Sequence, residues 1–167
     1  MRDFSQFMII DGDLESADKE SKRICESILG IEFKDKINRQ ICSDVIYVDS
    51  KSKKSIGISE IRRIQKEILL KPVEAKFKVY IFKNSQELTE QAQNSLLKIL
   101  EDPPKHVVFI FLCTNHNRII PTLISRSSLI YVNNKDEFLN KTDLDKLINA
   151  VENNDKFTIL TSTDMLH

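Results

Sequence analysis

Three short segments of this 167-residue chain carry residue types suited to phosphate chemistry. The first is the loop 11–19, which contains one glycine, four acidic side chains and one lysine. The second is the pair Lys83-Asn84, which follows an apolar run, and the third is Ser125-Arg126-Ser127. Glycine-containing loops before helices bind phosphate, acidic residues after a strand hold Mg²⁺, and arginine binds phosphate oxygens through its planar fork. The three segments therefore direct attention to nucleotide binding.

The loop 11–19 lacks the residues of a working phosphate loop, which follows the pattern GxxxxGK[ST]. Counting from Gly12 places Ala17 at the second glycine and Asp18 at the lysine. The four carboxylates would repel a triphosphate rather than hold it. Asp18 and Lys19 fit a solvated helix start better than a phosphate site.

The segment that should hold magnesium also departs from the expected chemistry. A nucleotide-hydrolysing site needs carboxylates after the third strand, where they bind Mg²⁺ and orient water. This chain has Lys83 and Asn84 there, which do not replace a carboxylate pair. Two independent requirements for ATP hydrolysis fail together, so the sequence argues against an active ATPase.

Arg126 is the remaining candidate for chemistry, between Ser125 and Ser127 and directly before an apolar run. At the edge of a sheet, its guanidinium could reach a phosphate bound by a neighbouring subunit. The alternative is a surface arginine paired with a carboxylate. From spacing alone we favour this alternative, because surface ion pairs are common.

Alternating strands and helices must position these segments. Apolar runs predict strands at 7–10, 45–48, 77–82, 107–113 and 129–132, and apolar periodicity predicts helices at 17–29, from Ser59 to before Pro72, and at 89–100. Ser59 and Thr89 are the expected N-caps, and Pro103-Pro104 ends the last of these helices. Repeated strand–helix alternation predicts an α/β fold, with a five-stranded parallel sheet and helices on both faces.

Composition narrows the choice of function further. Lys plus Arg and Asp plus Glu both number 25, so net charge gives no support for general nucleic-acid binding. The N-terminal ten residues are too short and polar for a secretory signal, so we expect a cytoplasmic chain. Cys25, Cys42 and Cys113 are far apart, which predicts buried free thiols rather than a zinc site. We expect no cofactor, and we expect His106 to be exposed after the proline pair.

Several motifs resemble the clamp-loader branch of the AAA+ proteins. Residues 88–104, LTEQAQNSLLKILEDPP, are similar to the pattern T-x-x-A-Q-N-A-L-L-K-x-L-E-x-P-P of that branch. Residues 121–127, PTLISRS, resemble P-T-I-x-S-R-C, with serine where cysteine is usual. The run 107–115 resembles the sensor-1 strand, and residues 54–62 resemble a segment of bacterial delta-prime subunits. The resemblance covers about residues 4–132.

The resemblance implies a non-catalytic subunit of the DNA polymerase III sliding-clamp loader, of the delta-prime class. It implies that Arg126 is an arginine finger that acts in trans on the ATP site of a gamma/tau neighbour. The implied partners are the gamma/tau and delta subunits and, through the assembled complex, the sliding clamp and primed DNA. Thr114 and Asn115 would be structural residues at the strand end. With this resemblance, we favour the arginine-finger interpretation of Arg126 over a surface ion pair.

The resemblance also implies a P-loop-type AAA+ core without a working phosphate loop. We expect residues 1–133 to form this domain and residues 134–167 to begin a small helical lid. The collar domain of the family would be absent, and this chain alone would be monomeric. Two other functions stay open: a divergent AAA+ NTPase, and a protein-binding module that uses the fold in replication or repair.

Overall fold

The computed structural model describes residues 6–50 and 54–132. The expected lid segment, 134–167, lies outside the described residues. The strands within these ranges are β1 (Phe7–Gly12), β2 (Val45–Val48), β3 (Lys78–Phe82), β4 (Val107–Cys113) and β5 (Ser128–Val132). The helices within them are α1 (Leu14–Leu29), α2 (Lys34–Asn38), α3 (Ile58–Glu67), α4 (Glu90–Glu101) and α5 (Pro121–Ile124).

The five strands form one parallel sheet in the order β2-β3-β4-β1-β5. This confirms the α/β fold and the five-stranded parallel sheet predicted from the sequence. Strand β4 lies at the centre, and all seven of its residues are buried. Its uncharged sequence predicts this position, because a strand covered on both faces needs apolar side chains on both.

Each face of the sheet carries its own apolar core. Helices α3, α4 and α5 cover one face, where the aromatic rings of β1, β3 and β4 stack on one another. The ring centroids of Phe7 and Phe109 lie 5.0 Å apart, and those of Phe82 and Phe111 lie 4.9 Å apart. Helices α1 and α2 cover the other face with aliphatic residues and Cys25. Because helices cover both faces, the sheet holds the residues at the two ends of its strands in fixed positions.

The helix starts differ from the sequence predictions where the capping residue was misidentified. Helix α1 begins at Leu14 rather than at residue 17, because the Oδ1 atom of Asp13 accepts the Ser16 amide at 2.9 Å. The prediction of Ser59 as an N-cap was wrong: α3 begins at Ile58 after Gly57, whose backbone is extended. The prediction for Thr89 is confirmed, since its Oγ1 atom accepts the Ala92 amide at 3.2 Å.

The prediction that His106 is exposed was wrong. Its ring is half-buried because it packs against the segment that follows α3. The Nε2 atom lies 3.1 Å from the Ile68 carbonyl oxygen and 3.3 Å from that of Leu70. His106 therefore acts as a structural donor that ties this segment to the start of β4.

Candidate functional site

The carboxyl ends of parallel strands share one edge of the sheet, and ligands of open α/β folds bind there. At this edge Gly12 ends β1 and lies against β5. A Cβ atom on Gly12 would come 2.1 Å from the carbonyl oxygen of Val132. The close approach of β1 and β5 therefore leaves room only for glycine at this position.

An acidic side chain binds the first turn of α1. The carboxylate of Asp13 caps the helix through the Ser16 amide, and this hydrogen bond lowers the pKa of Asp13. A phosphate at a helix N-terminus would use the same amide groups. Asp13 thus occupies the place where a phosphate would receive its first hydrogen bonds.

Asp18 and Lys83 lie together at this edge with the charges of a nucleotide site reversed. Asp18 stands where a phosphate loop has lysine, and Lys83 stands where the metal-binding carboxylates belong. The Lys83 Nζ atom is 3.8 Å from Asp18 Oδ1, and Lys22 Nζ is 2.6 Å from Asp18 Oδ2. Lys83 also lies over the Tyr47 ring, 4.8 Å from its centroid. The sequence identified both departures but not that the two side chains pair.

His116 and Asp11 form a second contact at this edge that sequence reasoning missed. The Nδ1 atom of His116 hydrogen-bonds the Asp11 carboxylate, and the Tyr131 ring meets the imidazole edge-on at 5.6 Å. Asp11 belongs to β1, while His116 follows β4 and Tyr131 belongs to β5. Together with Tyr131, the pair therefore connects three adjacent strands. Counting the acidic residues of the loop 11–19 did not predict this contact, because His116 is distant in the sequence.

The residues at the sensor-1 positions have structural hydrogen bonds, as predicted. The Asn115 side chain accepts the Asn117 amide at 3.0 Å and so begins a short 3-10 turn, His116–Arg118. The Thr114 amide donates to the Gln86 side-chain oxygen at 3.4 Å. These bonds shape the strand end.

The three cysteines are buried and free, as the sequence predicted. Burial raises the pKa of Cys113 to about 12, which keeps its thiol protonated and unreactive at neutral pH. Within residues 6–50 and 54–132, no cluster of three or more His, Cys, Asp or Glu side chains is arranged to hold a metal ion. In the same part of the chain, none of the helices has the length and apolarity needed to span a membrane.

Arg126 lies at the opposite, amino edge of the sheet, between α5 and the start of β5. Its Nη1 atom donates to the Thr122 carbonyl at 3.0 Å, and the Ser125 hydroxyl donates to the same oxygen at 3.2 Å. The Ser127 hydroxyl caps the Leu123 carbonyl at 2.9 Å. The two serine hydroxyls thus bind the last carbonyls of α5 and fix the turn that carries the guanidinium. Arg126 makes no ion pair with another described residue.

A family model described as "DNA polymerase III, delta subunit" matches residues 9–136, which is more than half of the chain. This chain belongs to that family. Members of this family are components of the DNA polymerase III clamp loader. The motifs 88–104 and 121–127 lie inside the matched region.

Curated relatives carry names from the same complex. The chain is 41% identical over 69 residues to DNA polymerase III subunit gamma of Buchnera aphidicola subsp. Acyrthosiphon pisum, a match to 41% of this chain and 19% of that protein. It is 39% identical over 75 residues to subunit delta' of Buchnera aphidicola subsp. Baizongia pistaciae, covering 45% of this chain and 22% of that one. The matched stretches therefore span less than a quarter of these relatives.

A solved structure confirms the fold. A DNA polymerase III gamma subunit-related protein of Thermotoga maritima superposes with a TM-score of 0.60 at 23% identity. The match covers 87% of this chain and 52% of that one. The chain thus shares its α/β architecture with that protein and spans about half of its length.

Gln93 is a buried polar residue next to the Arg126 segment that sequence reasoning did not single out. It is buried on α4, and its Oε1 atom accepts the Ile120 amide at 2.7 Å. Its Nε2 atom donates to the carbonyls of Leu88 at 3.1 Å and Arg118 at 3.3 Å. Gln93 therefore fixes the backbone that leads into α5 and Arg126. The available signal was a polar residue beside Ala92 on an apolar helix face.

Proposed function

We propose that this chain is a non-catalytic, delta-prime-type subunit of the sliding-clamp loader. In this proposal it contributes structure and places Arg126 against the ATP of a neighbouring gamma/tau-type subunit. The delta subunit, the sliding clamp and primed DNA are its further partners in the assembled complex. The chain has no ATPase activity of its own.

The observation that carries the proposal is the position of Arg126. It lies at the amino edge of the sheet, while the degenerate phosphate loop lies at the carboxyl edge. The guanidinium is held by a carbonyl rather than by a carboxylate of the described residues. A guanidinium that reaches a γ-phosphate stabilises the charge of the transition state, which accelerates phosphoryl transfer by about 10³–10⁵ in other systems.

The reversed pair Asp18–Lys83 supports the non-catalytic part of the proposal. A triphosphate at this edge would meet Asp13 and Asp18 where it needs amide groups and a lysine. Magnesium would meet the ammonium group of Lys83 where it needs a carboxylate. Both charges oppose Mg-ATP, which is why we do not favour a divergent NTPase.

The test reconstitutes the full-length gene product with the gamma/tau-type and delta subunits, clamp and primed DNA of its own organism. DNA-stimulated ATP hydrolysis is compared for wild type, Arg126→Ala and Arg126→Lys. We expect Arg126→Ala to lower the turnover rate at least about tenfold with assembly intact, because the transition-state charge loses its partner. Arg126→Lys restores little, since an ammonium group lacks the planar fork. The matched control is Arg39→Ala, an exposed arginine beside α2 on the other layer.

Each other outcome points to a different function. Unchanged hydrolysis in an intact Arg126→Ala complex would eliminate the finger and leave a structural subunit. Tight Mg-ATP binding by the isolated wild-type chain would favour the divergent NTPase. Failure of the wild-type chain to join the complex would favour a binding module for another replication or repair protein.

A further inference from the structure

Three large apolar side chains project from the segment between α3 and β3, which we call the apolar loop (residues 69–73). Leu69 is 73% exposed, Leu70 is 64% exposed and Val73 is 78% exposed. Neighbouring apolar residues exposed to this degree mark an interaction surface more often than isolated ones do. The described part of the chain leaves this loop uncovered.

Hydrogen bonds hold the backbone of the apolar loop at Leu70 and Val73 in spite of its exposure. The buried carboxylate of Asp44 accepts the amides of Val73 at 2.7 Å, Glu74 at 2.7 Å and Ala75 at 2.8 Å. The Nζ atom of Lys78 donates to the Leu70 carbonyl at 3.1 Å. The Nε2 atom of His106 lies 3.3 Å from the same carbonyl oxygen. A loop that is ordered before binding loses less conformational entropy on docking.

The surroundings of the apolar loop are basic. Lys66, Lys71 and Lys105 are exposed around it. Two nearby acids contribute little opposing charge, because Glu67 pairs with Arg63 and Glu74 pairs with Lys36. Glu101 and Asp102 are exposed just before Lys105, so the clearest basic residues are Lys66 and Lys71. The complementary surface is therefore an apolar pocket with carboxylates at its rim.

The apolar loop and Arg126 lie on the same side of the molecule. Both follow helices of the same layer and both precede strands of a parallel sheet, so both lie at the amino edge. Helix α4 lies between α3 and α5, and packed helices are 8–10 Å apart, which separates the two features by about 20 Å. A standard interface of about 800 Å² per partner is roughly 30 Å across and spans both.

We propose that the apolar loop is a contact surface for the same protein subunit that receives Arg126. This inference rests on the proposed function and adds the contact that brings the finger to its target. Leu69, Leu70 and Val73 enter an apolar pocket of the ATPase subunit, and the surrounding lysines face its acidic rim. Burial of three such side chains supplies affinity, while Arg126 supplies catalysis.

The experiment measures the affinity of the full-length gene product for the isolated gamma/tau-type subunit by analytical ultracentrifugation. The test variant is Leu69→Ser/Leu70→Ser/Val73→Ser, and the matched control is Ile31→Ser/Ile41→Ser, which changes exposed isoleucines near α2. We expect the test variant to bind at least about tenfold more weakly and the control within about twofold of wild type. Both variants should keep the wild-type Tm, because the altered side chains are exposed.

Wild-type affinity of the test variant would overturn the inference. A fall in its Tm by several degrees would show that the longer chain covers the loop itself, which would also overturn it. Loop-dependent binding to anionic lipid vesicles with unchanged subunit affinity would replace the protein partner by a membrane. Arg126→Ala separates the two proposals, since it should bind normally yet lower hydrolysis. Unchanged hydrolysis there would remove the finger while the loop result still decides the contact.

Discussion

At the scale of single residues, the Asp44 side chain accepts backbone hydrogen bonds that a strand or a helix satisfies elsewhere. The segment 73–75 has no strand or helix to satisfy its amides, and the Asp44 carboxylate accepts all three of them. Hydrogen bonds to a charged acceptor are stronger than neutral ones, and an unpaired buried group is costly. One side chain therefore satisfies three consecutive backbone amides at the end of the loop.

Asp44→Ala should lower the free energy of unfolding by about 3 kcal/mol, because three amides lose a charged acceptor. Chemical denaturation followed by circular dichroism measures this change. Asp35→Ala is the control: Asp35 is exposed and forms an exposed ion pair with Arg39, the residue after α2, so its loss should cost less than about 0.5 kcal/mol. Equal effects of the two substitutions would contradict the role assigned to Asp44.

The sequence predicts single residues well only where their partners are near in the chain. The capping role of Thr89 was predictable because the Ala92 amide is three residues away. Asp18 and Lys83 were both recognised as departures, but no local rule places them 3.8 Å apart. The partners of Asp44 lie 29–31 residues ahead, so its role appears only in the folded chain.

At the scale of elements, Gln93 connects α4 to the backbone before α5. Its three hydrogen bonds add to the packing of α5, whose Leu123 is buried in the core. The position of the Arg126 turn therefore depends on a side chain of another helix. Apolar periodicity predicted α4 and its inward face, but a buried glutamine breaks that pattern without showing what it binds.

Gln93→Leu should loosen the segment 118–127 while the sheet keeps its stability. The substitution leaves the Ile120 amide and two carbonyls without partners, each at a cost of about 1–3 kcal/mol when buried. Hydrogen exchange should therefore accelerate at Ile120 at least about tenfold, with β4 unaffected. Gln91→Leu, on the exposed side of α4, is the control and should leave this exchange rate unchanged. Equal protection of Ile120 in both variants would refute the connection.

At the scale of the whole molecule, two apolar cores on one sheet explain why the fold was predictable. Alternating apolar runs define the strands, and their parallel order follows from the helical crossovers between them. Helix ends were less accurate, as α1 and α3 show, because a glycine or an aspartate caps as well as a serine does. Buried charges were missed altogether, since composition does not tell which polar residue folding encloses.

Glu20 is such a buried charge, and it should give the stability of the whole chain a distinctive pH dependence. It is fully buried on α1, and its Oε2 atom lies 3.6 Å from Nη1 of Arg23, with which it forms an ion pair. Burial raises the pKa of Glu20 above its ordinary value, so the folded state keeps the proton to higher pH than the unfolded state does. Its contribution to stability is therefore present at acidic pH and is lost as pH rises between these two values.

Glu20→Gln should thus raise the free energy of unfolding at pH 7 by about 1 kcal/mol, because the cost of burying the charge outweighs its attraction to Arg23, which is itself partly exposed. The difference from wild type should shrink toward pH 4, where Glu20 is itself neutral. Urea titrations at several pH values measure both effects. Glu15→Gln, an exposed acid on the same helix, is the control. A less stable Glu20→Gln protein at pH 7 would refute this account.

The reversed pair of Asp18 and Lys83 also constrains how such a chain can evolve. Changing Asp18 to lysine alone would set two ammonium groups against each other, and changing Lys83 to aspartate alone would set two carboxylates against each other. Each single step toward an ancestral-type nucleotide site replaces an attraction by a repulsion. The two positions are therefore expected to be epistatic, because the effect of either substitution depends on the residue at the other position.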